Sequence, residues 1–296
     1  MYPFWKLPEI KLAPDVIFNI GPLPVTNTLF ATWITIIVLV AITFFATRRQ
    51  DLIPRGMQNF AEWAVESLLG LVESVAGKER GKKFFPLVAT FFIFILFANL
   101  LDILPGVDTI GWVNLTAIQQ AHLAPPASIF LFGNYSNKIV PWLRPATTDL
   151  NLTIGMALVS VIVTQFFGFY MLGAKHYLGR FFKFTSPINF YVGLLELVSE
   201  IARIISLSFR LFGNIFAGTI VLAIFALLLP VIGGVVFIPF ELFVAFLQAF
   251  IFALLTLVFL QISTSAEEHK PASEREAREE FAQNEEKEEK LAGVTD

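Results

Sequence analysis

In a chain that is 56% hydrophobic and only 15% charged, the residues able to do chemistry are the few ionisable and amide groups left inside the apolar runs. One run holds Glu196, Glu200, Arg203 and Arg210, and the next holds Glu241, Gln248 and Gln261. Steps of three, four and seven residues put Glu196, Glu200, Arg203, Ser206 or Leu207, Arg210, Gly213 or Asn214 and Ala217 along one helical face. Glu241 and Gln248, seven apart, share a face of the following run. A charge at mid-bilayer costs several kcal/mol unless water or a partner receives it, so such groups mark ion or substrate pathways. Arg210 stands 23 residues from Pro187 and 20 from Pro230, too deep for easy snorkelling, and its guanidinium keeps its proton under burial. A structural arginine held by a carboxylate or carbonyls is the competing reading. Glu196 and Glu200 lie about two turns from a loop, where simple interfacial pairing with Arg203 competes with a transport role.

Asp102 ends an earlier apolar run, and Asp149 with Asn151 begins another at the same depth. Asp102, Asp149 and Glu241 can therefore line an aqueous inlet on one side while Glu196 and Glu200 line an outlet on the other, with Arg210 dividing the two. No histidine lies in any apolar run. Proton relay here would depend on carboxylates, amides, hydroxyls and water.

The elements that must position these groups are helices in lipid. A mean hydropathy of +0.70 indicates a membrane solvent. A bilayer core about 30 Å thick needs roughly 20 apolar helical residues, because unpaired backbone groups in lipid cost several kcal/mol each. Five stretches qualify, predicting an all-α integral membrane protein with crossings at about 29–47, 84–104, 150–173, 187–229 and 235–265. The last two are longer than a perpendicular crossing needs, so they are expected to lie tilted as a hairpin about Pro230, Gly233 and Gly234. A break near Glu196 to Arg203 is the alternative. Residues 53–77 alternate Met57, Phe60, Ala64, Leu68 and Leu71 with Gln58, Glu62, Glu66 and Glu73, a stripe suited to the membrane surface or to a partner helix.

Arg48, Arg49, Arg55, Lys78, Arg80, Lys82 and Lys83 gather on one side, joined after two more crossings by Lys175, Arg180 and Lys183. That side reads as cytoplasmic. Residues 1–28 and the 105–148 loop then face outward, and the tail from residue 266 to 296, with 11 acidic and 5 basic residues, lies inside as a solvated helix or disordered segment. The proline-broken N-terminus lacks a basic n-region and a cleavage site, so it reads as mature chain. There is no cysteine for redox or thiolate chemistry, and no basic block that would recruit nucleic acid. Phosphate-cradling loops, Ser/His/Asp sets and metal-ligand clusters are also missing from the sequence, so no cofactor and no catalysis by this chain alone are expected.

The run SLSFRLFGNIFAG from Ser206 to Gly218 closely resembles the signature of subunit a of the F-type ATP synthases. LQAFIFALLT from Leu247 to Thr256 resembles that family's last helix, and NLLDILP from Asn99 and TDLNLT from Thr148 resemble its earlier polar landmarks. The resemblance spans Leu29 to Ser265. It implies a static stator subunit whose final hairpin lies against a rotating ring of c subunits, in a cell (inner) membrane or another energy-transducing membrane such as the thylakoid. The peripheral-stalk subunit b and other ATP synthase subunits would be its further partners, with membrane lipid around it.

By the same resemblance, Arg210 is the essential arginine facing the ring carboxylate, and Gln248 sits across the hairpin from it. Glu196 matches an acid near the inner half-channel; Asp149 and Asn214 match polar positions of the outer path. Glu241 stands where some members carry His, and Thr219 where those members carry Glu, so Glu241 is expected to hand the proton to the ring. Small residues at Ser206, Gly213 and Ala217 would let the ring approach closely. Two other classes compete: a stand-alone proton-coupled transporter in which Arg210 binds an anionic substrate, and a scaffold whose charges only lock helices. Inverted repeats would favour the transporter, and none is found in the sequence.

Overall fold

A computed structural model describes residues 13–48, 56–103, 111–113, 139–173, 177, 179, 187–228 and 232–265. The acidic tail, most of the 105–148 loop, the turn at Pro230 and the basic residues Arg49, Arg55, Lys175, Arg180 and Lys183 lie outside the described residues. Among the described residues these α-helices follow one another: α1 (Asn27–Thr47), α2 (Met57–Ala76), α3 (Lys78–Ile103), α4 (Leu150–Leu172), α5 (Pro187–Leu228) and α6 (Ile232–Thr264). All but α2 are long and apolar enough to cross a membrane. α5 is one unbroken helix of 42 residues through Glu196 to Arg203, which settles the alternative of a break there.

Three helices begin earlier than the apolar runs alone indicate, α1 at Asn27 by two residues. α3 starts at Lys78, not near residue 84, because a charged first turn is tolerated where a helix emerges from lipid; Pro86 is carried inside it. α6 starts at Ile232 and carries Pro239. The surface stripe is the helix α2, with Val72 and Ala76 buried and Phe60 and Trp63 exposed. Its end is set by Gly77, whose φ of 77° lies in the left-handed region that glycine enters without a Cβ penalty. Two short antiparallel ribbons were not expected: β1 (Val16–Ile20) with β2 (Leu23–Thr26), and β3 (Gly111–Val113) with β4 (Ile139–Pro141).

The chain divides into two compact units. The first comprises Met1–Ile162 with Ser199–Val258. Within it α3 meets α6 through Phe91 against Phe252 and Phe92 against Phe246, with ring centroids 5.2 and 5.8 Å apart. α4 is tied to α5 by Thr153 and Ser208 (3.2 Å) and to α6 by Ser160 and Thr256 (2.9 Å). Hydroxyls survive at this depth because many also bond their own helix, as Thr32, Thr35 and Thr256 do to carbonyls four residues back. The second unit comprises Val163–Val198 with Phe259–Asp296. There Tyr177 is buried against Phe169, donates to Gln165, and fills the space where Gly168 has no side chain.

Candidate functional site

Leu207, Leu211 and Ile215 recur every four residues and are buried, which fixes the rotation of α5 within the first unit. The opposite side is left uncovered: Ala202, Ser206, Phe209, Arg210, Asn214 and Ala217 are exposed. Arg210 projects from the middle of this face, and among the described residues its guanidinium has no ion-pair or hydrogen-bond partner. A guanidinium stays charged at this depth, so the arrangement presents a fixed cation outward from the chain.

One turn further along, Asn214 Nδ2 donates to Gln248 Oε1 at 2.6 Å and joins α5 to α6. Gln248 is 1% exposed, and its Nε2 has no partner among the described residues. Glu241, 7% exposed, lies against α5 at Gly218; a Cβ added there would stand 2.9 Å from Glu241 Oε1. Neither carboxylate oxygen of Glu241 has a hydrogen-bond partner among the described residues. A cavity of about 230 Å³ opens beside it, lined by Asn214, Ala217, Gly218, Val221, Phe237, Phe240 and Val244. That is room for several waters, with Asn214 in its wall, while both carboxylate oxygens of Glu241 are closed off from water-sized contact behind that wall. One region of the first unit therefore holds an exposed cation, an amide bridge and a carboxyl beside a water-sized space.

Glu200 is buried and accepts from Arg203 Nη1 at 2.9 Å. Glu196 is half-buried and belongs to the second unit. Ser206 is exposed on the Arg210 face. Asp102 occupies the last turn of α3. Asp149 is 8% exposed and is held from both sides: Oδ1 accepts from the Asn151 amide at 2.9 Å, capping α4, and Oδ2 accepts from the Thr28 hydroxyl at 2.9 Å. Beside it Thr147 donates to Asn99 at 2.8 Å. Among the described residues no three acid or histidine side chains converge as a metal site requires.

Sequence reasoning missed Gly218 as the seat of Glu241, the apolar cavity walls, and Thr28 as the partner of Asp149. Gly218 was findable, since 210, 214 and 218 follow one another at helical steps of four. The Thr28 contact bridges 121 positions and left no local signal.

Comparison with known proteins adds an independent line. The ATP synthase A chain family matches residues 29–261. An ATP synthase subunit a of Moorella thermoacetica is 34% identical over 247 residues, 83% of this chain and 94% of that protein. One from Gloeobacter violaceus is 30% identical over 264 residues, 88% and 92% of the two chains. Another, from Campylobacter jejuni subsp. doylei, is 34% identical over 235 residues, 78% and 87%.

Proposed function

This chain belongs to the ATP synthase subunit a family, and on that premise we propose that it is the fixed membrane subunit that carries protons to and from a rotating c-ring through two offset half-channels. The observation that carries this reading is the exposed Arg210 on the uncovered face of α5, without a partner among the described residues. A permanent cation at that depth is stabilised by an anion from outside the chain, and a carboxylate on a neighbouring ring is the matching group. A ring acid that has taken up a proton loses its attraction to Arg210 and enters lipid at low cost, whereas an ionised one is retained. Arg210 also stops protons from passing directly between the half-channels.

Glu241, in the wall of the cavity, is the proposed donor to the ring acid. Asn214 and Gln248 fix the two helices on which Glu241 and Arg210 sit, and Ser206 keeps the approach face small. Glu196 is the proposed outlet acid; Glu200, paired with Arg203, lies beside that path as a held charge. Asp149 and Asp102 mark the outer side, Asp149 as a fixed polar wall because both its oxygens are bonded. In this reading the N-terminus is outside, the tail is cytoplasmic, and subunit b is a further partner in a cell membrane or other energy-transducing membrane. ATP is made by partner subunits, and this chain supplies the ion path.

The test exchanges Arg210→Lys and Arg210→Gln in the complete complex. Both variants are expected to assemble at wild-type level, by co-purification with the ATP synthase subunits, while ATP-driven proton pumping falls to background. Retained pumping in Arg210→Lys, or loss of assembly in both, overturns the proposal.

A further inference from the structure

The ribbon β1–β2 precedes the first crossing directly. Thr26, the last residue of β2, caps α1 by accepting from the Leu29 amide at 3.3 Å, and the Asn27 amide donates to the Asp15 carbonyl at 3.0 Å. The root of the ribbon therefore stands at the depth where α1 begins. Phe18 pairs with Val25, Asn19 with Pro24 and Ile20 with Leu23. Directly opposed residues share a face and neighbours alternate, so Phe18, Val25 and Ile20 lie on one side and Asn19 on the other. At the root this apolar face is covered, with Val25 2% exposed. Beyond it the face is bare: Phe18 is 41% and Ile20 55% exposed.

What covers the bare part is indicated by its surroundings. No residue from Val16 to Thr47 is charged, and α1, which starts directly after the ribbon, itself exposes Leu29, Trp33, Ile36 and Ile37. α1 is long and apolar enough to cross a membrane, so an apolar surface on it is suited to lipid, and the bare part of the ribbon adjoins that helix in the chain. Depth follows from two limits. The 21 residues of α1 span about 31 Å and fill the hydrocarbon core unaided. A two-stranded ribbon has unpaired backbone along its outer edges, which hydrocarbon does not tolerate and hydrated headgroups do.

We propose that β1–β2 lies in the membrane plane at headgroup level, with Phe18 and Ile20 seated at the boundary of the acyl chains and Asn19 turned to water, as a lipid anchor that fixes the depth of α1. The chain has no cysteine, so Phe18→Cys, Asn19→Cys and Ile20→Cys each give a single nitroxide attachment site on it. Each labelled chain is studied in the complete ATP synthase complex in phosphatidylcholine/phosphatidylglycerol vesicles. The complex with the wild-type chain, treated with the same reagent, supplies the background. Collision of the label with oxygen, which partitions into lipid, is compared with collision with a water-soluble nickel chelate. The oxygen-to-nickel ratio is expected to be several-fold higher at 18 and 20 than at 19. Nickel-dominated collision at all three positions puts the ribbon in water and overturns the proposal. Exclusion of both probes at 18 and 20 means another protein covers the face, and oxygen-dominated collision at 19 as well means the ribbon is sunk in hydrocarbon; either result also overturns it.

Discussion

Glu241 and Gly218 approach each other so closely that each limits what the other can be. In Gly218→Ala the new methyl group stands 2.9 Å from Oε1, tighter than van der Waals contact, and the carboxylate has to move. Two effects of opposite sign then meet: alanine favours the helix by about 1 kcal/mol over glycine, and overpacking costs about 1–3 kcal/mol. Net stability should change little, while the carboxyl is displaced from its seat against α5. The expected outcome is a fully assembled complex with impaired ATP-driven proton pumping, measured as acidification of inverted vesicles and normalised to co-purified subunits. Glu241→Gln keeps the shape and removes the exchangeable proton. Its pumping should fall to background with assembly unchanged, and normal pumping would show that another residue supplies the ring.

At the scale of elements, the buried link between Thr28 and Asp149 joins the start of α1 to the start of α4. A hydrogen bond to a charged group contributes about 1.5–3 kcal/mol, and an Asp N-cap about 0.5–2 kcal/mol over alanine. Thr28→Val should therefore lower the thermal unfolding temperature of the detergent-purified complex, and Asp149→Ala should lower it further because the cap is lost too. In the double variant the effects should be less than additive, since both singles remove the same bond. Additive losses would mean the two residues act independently. The helices themselves were legible in the sequence because an apolar run long enough to span lipid needs no tertiary information to become a helix. Their ends were less so: α3 extends through Lys78 to Lys83, which hydropathy alone excludes, and the Pro86 and Pro239 positions do not end their helices. The ribbon β1–β2 carries too few residues to give a period, and contacts such as Asn214 with Gln248 depend on how two helices are rotated against each other. What the sequence did yield at the site was the row of polar residues on α5, because a charge inside an apolar run stands out at any rotation.

For the molecule as a whole, the uncovered face of α5 separates the requirements of this chain from those of its assembly. Arg210, Asn214 and Ala217 are exposed there, and a Cβ added at Gly213 would meet no other atom within 4 Å. There is thus room for a Cβ at 213, and replacing an interior helical glycine removes a penalty of about 1 kcal/mol. If the face were only a lipid-facing surface, Gly213→Leu would be silent or mildly stabilising. If a rotating ring packs against it, small residues are needed for close approach, and the leucine holds the helices apart in front of Arg210. The expected outcome is normal membrane insertion and thermal stability of the chain, with reduced recovery of the c subunit on purification and loss of proton pumping. Gly213→Ala should be nearly neutral in all three measurements. A Gly213→Leu variant that retains both ring and pumping would show that the face bearing Arg210 is not where the moving partner passes, since a partner close enough to neutralise that charge has no room for four more carbon atoms beside it.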